Sequence, residues 1–405
     1  MSSIKRISAD HLQVGMYIAD LNNAWIPDNN LRRHGLIKRS VAIEQIRKLG
    51  VTELYIDTAK GLDCSEGIPI DTVNEKIDAQ LSSIQRNAPD NKPVVEFSDE
   101  LSSATSIHAN ALNLVSQVMH DVKMGNVVNL QPVEDMADSI SESIRRNQSA
   151  LSCFTRLRCK DQYLMEHSFS VAVLMGVLAR AMGFSGDEMH ELVTGGLLHD
   201  VGKIRVPDEI LNKPGSLTPE EWEEMKRHVQ YGEEALNQPE VPTVIKQICA
   251  QHHERLDGTG YPRGLSKDAI VMAARMGAVV DVYDAITADR VYHQGMLPTV
   301  AMKKILDWSG SHLDSEVVYQ FIACMSIYPA GSVVELASNR LAMVVEPNLR
   351  QQHKPLVSLM WDTAANKSLP PKLLNLALSD IGDSIKRAVS PDEFSVSIAG
   401  SIMRS

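Results

Sequence analysis

The sequence predicts a mainly helical protein, in which a small α+β module precedes a helical bundle and a small β-rich appendage follows it. The length allows this division, because 405 residues are enough for two or three domains of ordinary size. Long apolar patterns with the helical period begin near Ser98 and recur as far as about residue 288. Before and after them, short apolar runs are bounded by Gly, Pro and Asn, which is typical of strands and turns.

The composition is that of an ordinary globular protein. A hydrophobic fraction of 44% with 22% charged residues excludes collagen-like, wholly disordered and disulfide-scaffold proteins. Five cysteines without a CxxC spacing indicate neither a disulfide framework nor a zinc knuckle. A net charge of −11 argues against bulk binding of nucleic acid, which needs a basic surface.

The sequence shows no sign of a membrane segment or a secretory signal. Its longest strongly apolar stretch, Val171 to Ala179, is far shorter than the roughly 20 residues of a membrane helix. The first ten residues, MSSIKRISAD, contain no apolar signal core. We therefore expect a cytoplasmic protein without a membrane span.

Residues 1–60 form the predicted N-terminal α+β module. Its helical stretch, SVAIEQIRKLG, places Ile43, Ile46 and Leu49 at helical spacing before a terminating Gly. The runs GMYIADL and ELYID are short enough to be strands. Residues 61–97 are rich in Pro, Asp, Ser and Asn and contain the breakers GIPID and NAPDNKP, so they are predicted to be a linker.

Residues 98–330 form the predicted helical domain. Two long patterns, ELSSATSIHANALNLVSQVMHDV and VEDMADSISESIRRNQSALSCF, open it, and shorter ones follow at about 162–182, 186–199, 218–236, 241–253 and 268–288. Thr218 and Glu221 have the spacing of a capping box. Residues 331–405 form the predicted β-rich subdomain, with two strands around a polar SNR turn and a third in PLVSLMW.

The histidines give the first indication of chemistry. Five histidines and two aspartates fall at or near the buried sides of separate predicted helices: His167, His199, His228, His252, His253, Asp200 and Asp281. Any single one of these histidines is typical of a satisfied core residue, but so many polar groups buried without partners would cost several kcal/mol each. A metal cluster removes that cost, because imidazole and carboxylate are natural ligands of Fe, Mn and Zn.

The adjacent pair His199 and Asp200 indicates what such a cluster does. An imidazole gives one metal a directional ligand, whereas a carboxylate has two oxygens and can bridge two cations. Two ions about 3.5 to 4 Å apart activate a hydroxide and stabilise the leaving oxygen of an in-line displacement at phosphorus. The pattern therefore predicts phosphoester hydrolysis.

Three motifs resemble those of one known family. HHERLDGTGYP (252–262), with HDVGK (199–203) before it and DVYDAITADR (281–290) after it, is similar to the signature of the HD-GYP family, a branch of the HD phosphohydrolases. The resemblance extends over about residues 150–330. It implies a helical HD-type bundle around a di-metal centre and hydrolysis of cyclic di-GMP to pGpG, and on to GMP, in bacterial signalling of biofilm formation, motility and virulence.

The resemblance also implies a role for each matching residue. His167, His199, Asp200 and Asp281 are expected to hold one divalent ion, with His228, His252 and His253 holding a second and Asp200 bridging the two; iron and manganese are favoured among the divalent ions. Lys203 and Asp200 are expected to be catalytic. The substrate is expected to contact Lys203, Arg290 and the loop residues Gly258, Gly260, Tyr261 and Pro262.

Two positions depart from the family pattern. Where some members carry a Glu that helps to hold a third metal, this sequence has Tyr163, and Glu166 falls on the wrong side of the helix to replace it. A binuclear centre is therefore expected. At position 293, where a basic residue often follows, His293 is expected to weaken the grip on substrate at neutral pH.

Alternatives to this enzyme remain open on the sequence alone. One is a slow or inactive cyclic di-GMP sensor that docks GGDEF-domain diguanylate cyclases, and another is an HD phosphohydrolase acting on a different nucleotide. The first 60 residues resemble, more weakly, a small module found ahead of HD-GYP domains, with a regulatory role and a structural cap equally supported. The helical patterns between Ser98 and Phe154 are as suited to pairing in a homodimer as within one chain.

Overall fold

The computed structural model describes residues 2–23, 34–48, 50–86, 93–156, 162–215, 217–289 and 295–394. Within them the predicted fold class is confirmed. A helical bundle occupies the middle of the chain, a small antiparallel sheet with one helix precedes it, and a second antiparallel sheet follows it.

The N-terminal sheet is formed by five strands among the described residues, in the spatial order β3-β2-β4-β1-β5. Their bounds are β1 Ile4–Ser8, β2 Tyr17–Asp20, β3 Gly35–Leu36, β4 Glu53–Asp57 and β5 Ile68–Pro69. Helix α1 (Ser40–Lys48) buries Ile46 in a small core with Leu54 and Ile56 of β4. The helical spacing and the short strand runs of the sequence thus produce a separate apolar core for this sheet.

The segment predicted as a linker contains a packed helix, and on this point the prediction is wrong. Helix α2 (Ile70–Arg86) buries Val73, Ile77 and Leu81 against the large core, where it contacts α12 (Pro298–Asp307) and α13 (Ser315–Met325). These three apolar residues recur every fourth position, but the Pro- and Asp-rich flanks concealed that pattern. The division of the chain into domains accordingly stays a proposal.

The bundle is built around one buried helix, α5. Its helices are α3 Phe97–Lys123, α4 Gln131–Phe154, α5 Tyr163–Ala181, α6 Asp187–Leu198, α7 Asp208–Leu211, α8 Pro219–Lys226, α9 His228–Ala235, α10 Thr243–Gln251, α11 Met272–Thr287, α12 and α13. Every residue of α5 from Glu166 to Ala179 is buried. The predicted capping box forms at α8, where Thr218 and Glu221 bond each other's backbone N–H.

Helix α5 is long and apolar enough to cross a membrane, and it alone meets that test in the part of the chain that the structure describes. However, 78% of its apolar window is buried inside the protein. It packs against α3, α4, α6, α11 and α13. We therefore describe α5 as the core helix of the bundle.

The predicted helix that begins with the capping box is interrupted. The pattern at 218–236 forms two helices, α8 and α9, which meet at Arg227. Arg227 has φ −66° and ψ −12°, so the chain turns there before α9 begins at His228. This break places His228 at the first position of a helix rather than in the middle of one.

The C-terminal sheet rests on the bundle. Its strands are β6 Val333–Leu336, β7 Arg340–Glu346, β8 Leu356–Asp362, β9 Lys367–Ser368, β10 Leu373–Asn375 and β11 Ile385–Ala388, in the order β10-β8-β7-β6-β11 with β9 beside β8. Along β7, Leu341 and Met343 join the bundle core, whereas Ala342 and Val344 join a small core on the other face. This alternation is the period of two expected of a strand.

Candidate metal centre

Three helices bring the first group of predicted ligands together. His167 lies on α5, His199 directly follows α6, and Asp281 lies on α11, and all three side chains are buried. Nε2 of His167 is 3.2 Å from Nε2 of His199 and 3.1 Å from Oδ1 of Asp281. One ligand atom from each of the three lies within 4.8 Å of the others, so these atoms surround one point.

A second group forms beside the first. His228 begins α9, and His252 and His253 directly follow α10. Nε2 of His253 is 3.1 Å from Nε2 of His228. With Asp200, these three histidines offer four ligand atoms that all lie within 4.8 Å of one another.

Asp200 lies between the two groups, and each of its oxygens faces a different one. Oδ2 is 3.2 Å from Nε2 of His167 and 3.3 Å from Nε2 of His199. Oδ1 is 3.4 Å from Nε2 of His228 and 3.6 Å from Nε2 of His252. A carboxylate placed in this way is suited to bridging two cations.

The hydrogen bonds of the histidines leave their Nε2 atoms free to bind a metal. Nδ1 of His199 donates to the Gly196 carbonyl at 2.8 Å, and Nδ1 of His228 donates to the Met225 carbonyl at 2.7 Å. An imidazole that donates through Nδ1 carries its lone pair on Nε2. The facing Nε2 lone pairs then repel one another unless a cation or proton lies between them.

The buried polar atoms of the centre therefore fit a divalent metal. Nε2 of His252, Oδ1 of Asp200 and Oδ2 of Asp281 have no hydrogen-bond partner among the described residues. Such groups would each cost a few kcal/mol of stability if nothing bound them. Imidazole nitrogens and carboxylate oxygens suit divalent metals of the first transition row.

The electrostatics of the centre favour positive charge. Burial raises the pKa of the Asp200 carboxyl, but Lys203, His199 and His167 outweigh burial and hold that pKa well below its ordinary value. Burial lowers the pKa of His228 to about 4. For His167, burial also lowers the pKa, but its bonds to Asp200 and the two α11 carboxylates raise it well above its ordinary value. A proton on His167 or a divalent cation satisfies these carboxylates.

Lys203 lies beside the bridging carboxylate. The residue belongs to a short 3₁₀ helix, Val201–Arg205, that follows the His199–Asp200 pair. Its Nζ is 2.7 Å from Oδ2 of Asp200, and the residue is 2% exposed. A buried ammonium at this position is within reach of an anion that approaches the two ligand groups.

The loop that carries the GYP residues is tied to the centre. The Tyr261 ring stacks on the His253 ring with centroids 4.7 Å apart. A Cβ atom at Gly260 would lie 2.5 Å from the Glu254 Cα, so only glycine allows this close approach. Glu254 accepts the backbone N–H groups of Arg263 and Leu265 at 2.7 and 2.8 Å, which holds the far side of the loop around Pro262.

Two predicted residues lie outside the described residues, namely Arg290 and His293. Tyr163, for which we predicted no ligand role, stacks on His167 with ring centroids 5.9 Å apart and an interplanar angle of 4°. The two candidate ligand groups do not include Glu166.

Sequence reasoning missed Asp284. Its Oδ2 accepts from Nδ1 of His167 at 2.7 Å, and the residue is 1% exposed. A carboxylate in this position orients a metal-binding imidazole and increases its basicity. The signal was present, because Asp284 follows Asp281 by one helical turn on α11 and both face the same side.

Family models and curated relatives match this chain. Residues 136–317 match the HD domain model, and residues 4–133 match a domain of unknown function, DUF3391. A Pseudomonas aeruginosa protein named cyclic di-GMP phosphodiesterase is 35% identical over 94% of this chain and 91% of its own length.

Shorter matches are found with proteins of two further bacteria. A Vibrio cholerae 3′3′-cGAMP-specific phosphodiesterase is 38% identical over 38% of this chain and 30% of its own length. A Thermotoga maritima cyclic di-GMP phosphodiesterase is 39% identical over 40% of this chain and 45% of its own length. Together with the full-length match, these relatives confirm the predicted family: the chain is an enzyme that belongs to the HD-GYP branch of the HD phosphohydrolases.

Proposed function

We propose that this chain is a metal-dependent phosphodiesterase that hydrolyses cyclic di-GMP to pGpG and further to GMP, in cytoplasmic second-messenger signalling. The observation that carries the proposal is the position of Asp200, whose two oxygens face two separate groups of buried histidines. The relative that matches along almost the whole chain is named for this activity.

In this proposal the seven candidate ligands would hold two divalent ions. One ion is assigned to His167, His199, Asp281 and Asp200, and the other to Asp200, His228, His252 and His253. When bound, the ions supply Lewis-acid activation of water and of the phosphoryl group. Iron or manganese is the proposed metal, because the donors are nitrogen and oxygen without a thiolate. Tyr163 supports a binuclear centre, since a phenol replaces the carboxylate that a third ion would need.

The remaining residues of the site act on the substrate. The Lys203 ammonium, buried beside Asp200, offsets negative charge that develops on the phosphoryl oxygens. Tyr261, stacked on His253, presents a ring at the edge of the centre and keeps the loop of Gly260 and Pro262 next to it. Arg290 is proposed to bind a phosphate through its planar guanidinium.

A second candidate substrate is 3′3′-cGAMP. Three relatives of this chain are named 3′3′-cGAMP-specific phosphodiesterases, each 38% identical over 137 to 159 residues. Both molecules are cyclic dinucleotides with two phosphodiesters, so the same metal centre suits either. GGDEF-domain cyclases as partners and a homodimer are further proposals that rest on the resemblance and on the long helices.

The test is product analysis of purified protein incubated anaerobically with Mn(II) or Fe(II), using cyclic di-GMP and 3′3′-cGAMP in parallel. We expect pGpG or GMP from cyclic di-GMP, with about two metal ions per chain by elemental analysis.

Asp200→Ala should abolish turnover, whereas Asp208→Ala, which removes only an exposed ion pair with Lys123, should not. Full turnover by D200A would reject the mechanism, and tight binding without product would make the chain a sensor.

A further inference from the structure

The N-terminal module touches the GYP loop, which we define as residues 255–262. The contact is at Gly50, just after α1. A Cβ atom at Gly50 would lie 2.9 Å from the Thr259 Cβ and 3.3 Å from Nη1 of Arg255. Real Cβ atoms do not approach this closely, so the loop is packed directly on the backbone of the module.

The touched residues belong to a hydrogen-bonded network inside the loop. Nη1 of Arg255 donates to Oγ1 of Thr259 at 2.7 Å, and that hydroxyl donates to Oδ1 of Asp257 at 2.6 Å. The Thr259 backbone N–H donates to the same oxygen at 2.9 Å. Arg255 is 8% exposed although it carries a charge. A displacement of Thr259 therefore disturbs several bonds at once.

The opposite side of the loop is held by the segment after α12. Nδ1 of His312 is 3.0 Å from Oδ2 of Asp257, and the His312 carbonyl accepts the Leu256 N–H at 3.2 Å. His312 in turn donates its backbone N–H to the Trp308 carbonyl at 3.1 Å. The loop is thus clamped between Gly50 and the α12–α13 turn.

The module docks on that same turn through a buried polar cluster, which we call the docking cluster: Arg6, Asn22, Tyr55, Lys304, Asp307 and Trp308. Asp307, with a side chain 4% exposed, accepts from Arg6 at 2.7 Å and from the Tyr55 hydroxyl at 2.9 Å. Oδ1 of Asn22 accepts from Lys304 and from the Trp308 indole, each at 3.0 Å. The contact at Gly50 and the contact at the α12–α13 turn therefore both depend on the position of the module.

We propose that the N-terminal module is a positioning element of the active site. The positioning residues are Gly50 of the module and Thr259 of the GYP loop. The module holds the GYP loop so that Tyr261 stays stacked on His253 and the substrate meets a preformed site. The effect on cyclic dinucleotide turnover rests on the proposed function, whereas the effect on loop order does not.

The test compares Gly50→Ala with a matched control, Gly125→Ala. Both glycines follow a helix and have left-handed backbones, with φ +75° at Gly50 and +78° at Gly125. A Cβ at Gly125 meets nothing within 4 Å, so the two variants share the backbone strain and differ in the contact with Thr259.

Three readouts separate positioning from general destabilisation. For G50A we expect kcat/KM on cyclic di-GMP to fall on the order of tenfold to a hundredfold, mainly through KM. Turnover of bis(p-nitrophenyl) phosphate, which is too small to need the loop, should stay at the wild-type value. Hydrogen exchange of residues 254–265 should be faster than in wild type. G125A should match wild type in all three.

A G50A protein that matches G125A in both loop exchange and KM overturns the proposal. A wild-type protein that does not turn over cyclic di-GMP rejects the proposed function, but the exchange comparison still decides the positioning inference. Should G50A fail to fold, Thr259→Val tests the same network from the loop side, because Val keeps the shape and removes the hydroxyl bonded to Arg255 and Asp257. T259V must then show faster exchange of the loop and a higher KM, and wild-type values for both reject the proposal.

Discussion

The metal centre and the docking cluster are both built of buried polar side chains, and their carboxylates differ in whether neighbouring side chains satisfy them. In the metal centre, Oδ1 of Asp200 and Nε2 of His252 have no hydrogen-bond partner among the described residues. In the docking cluster, Asp307 accepts bonds from Arg6 and Tyr55 at 2.7 and 2.9 Å. The side chains of Asp307 and Asp200 are 4% and 1% exposed, so burial alone does not identify a binding site. Unsatisfied groups need a ligand, whereas satisfied groups stabilise the fold.

Asp307→Ala should cause the largest loss in the free energy of unfolding and tests whether the docking cluster stabilises the fold. Removing this carboxylate takes the acceptor from Asn22 and Tyr55 and the main ion-pair partner from Arg6, and breaking a buried ion pair costs about 3 kcal/mol or more. We expect the lower end, because Arg6 also lies 3.6 Å from Glu53. The measurement is the free energy of unfolding in urea, followed by Trp fluorescence.

The control for D307A is Asp208→Ala, whose ion pair with Lys123 joins side chains that are 66% and 49% exposed. Exposed pairs contribute about 0 to 1 kcal/mol, so this variant should unfold close to wild type. Equal losses in D307A and D208A would show that the docking cluster is no more stabilising than a surface pair.

Metal loading probes the other cluster. A ligand that binds only the folded state at about 100 times its Kd raises the free energy of unfolding by about 2.7 kcal/mol. We therefore expect Mn(II) to stabilise the wild-type chain by this amount relative to a chelator. D307A should gain the same increment, because the docking cluster holds no metal in our proposal, whereas Asp281→Ala should gain less. No metal-dependent shift in the wild type would contradict the metal centre.

Asp284→Asn separates orientation of a ligand from ligation itself. Asp284 accepts from Nδ1 of His167; Asn keeps an accepting oxygen but removes the negative charge, and mutation of such a partner typically weakens metal binding about tenfold to a hundredfold. We expect a lower metal affinity, measured by titration with Mn(II), and turnover that recovers in excess metal. Asp281→Ala should not recover in this way. Unchanged affinity in D284N would show that the bond to His167 is only structural.

The sequence singled out the candidate ligands of the metal centre but not the docking cluster, and the reason is physical. The ligands are grouped in short motifs such as HDVGK and HHERLDGTGYP, because two neighbouring side chains at a helix end reach one point. The unusual cost of burying histidine without a partner made these residues stand out. Asp284 was not predicted, because a single carboxylate one helical turn after Asp281 resembles an ordinary helix residue.

The docking cluster draws on residues about 300 positions apart. The Arg6–Asp307 bond joins β1 to the end of α12, and nothing local in either segment indicates the other. Helix α2 was missed for a related reason, since its apolar stripe packs on α12 and α13, more than 200 residues later in the chain. Long-range packing of this kind requires the three-dimensional structure.

Tyr55→Phe gives the smallest effect and tests whether the docking cluster is redundant. The change removes the hydroxyl that donates to Oδ2 of Asp307 at 2.9 Å and keeps the ring. Asp307 still accepts from Arg6 and, at 3.3 Å, from Asn22, so no buried charge is left alone. A hydrogen bond to a charged group contributes about 1.5 kcal/mol, and we expect a loss of that size in urea unfolding. Because burial and the Asp307 carboxylate both raise the pKa of Tyr55, its proton stays on the oxygen throughout the measurement.

Tyr319→Phe, at a tyrosine that is 40% exposed, is the matched control and should unfold like wild type. If Y55F lost as much free energy of unfolding as D307A, the bonds of the docking cluster would not be redundant. Loss of one hydrogen bond would then destabilise the whole cluster.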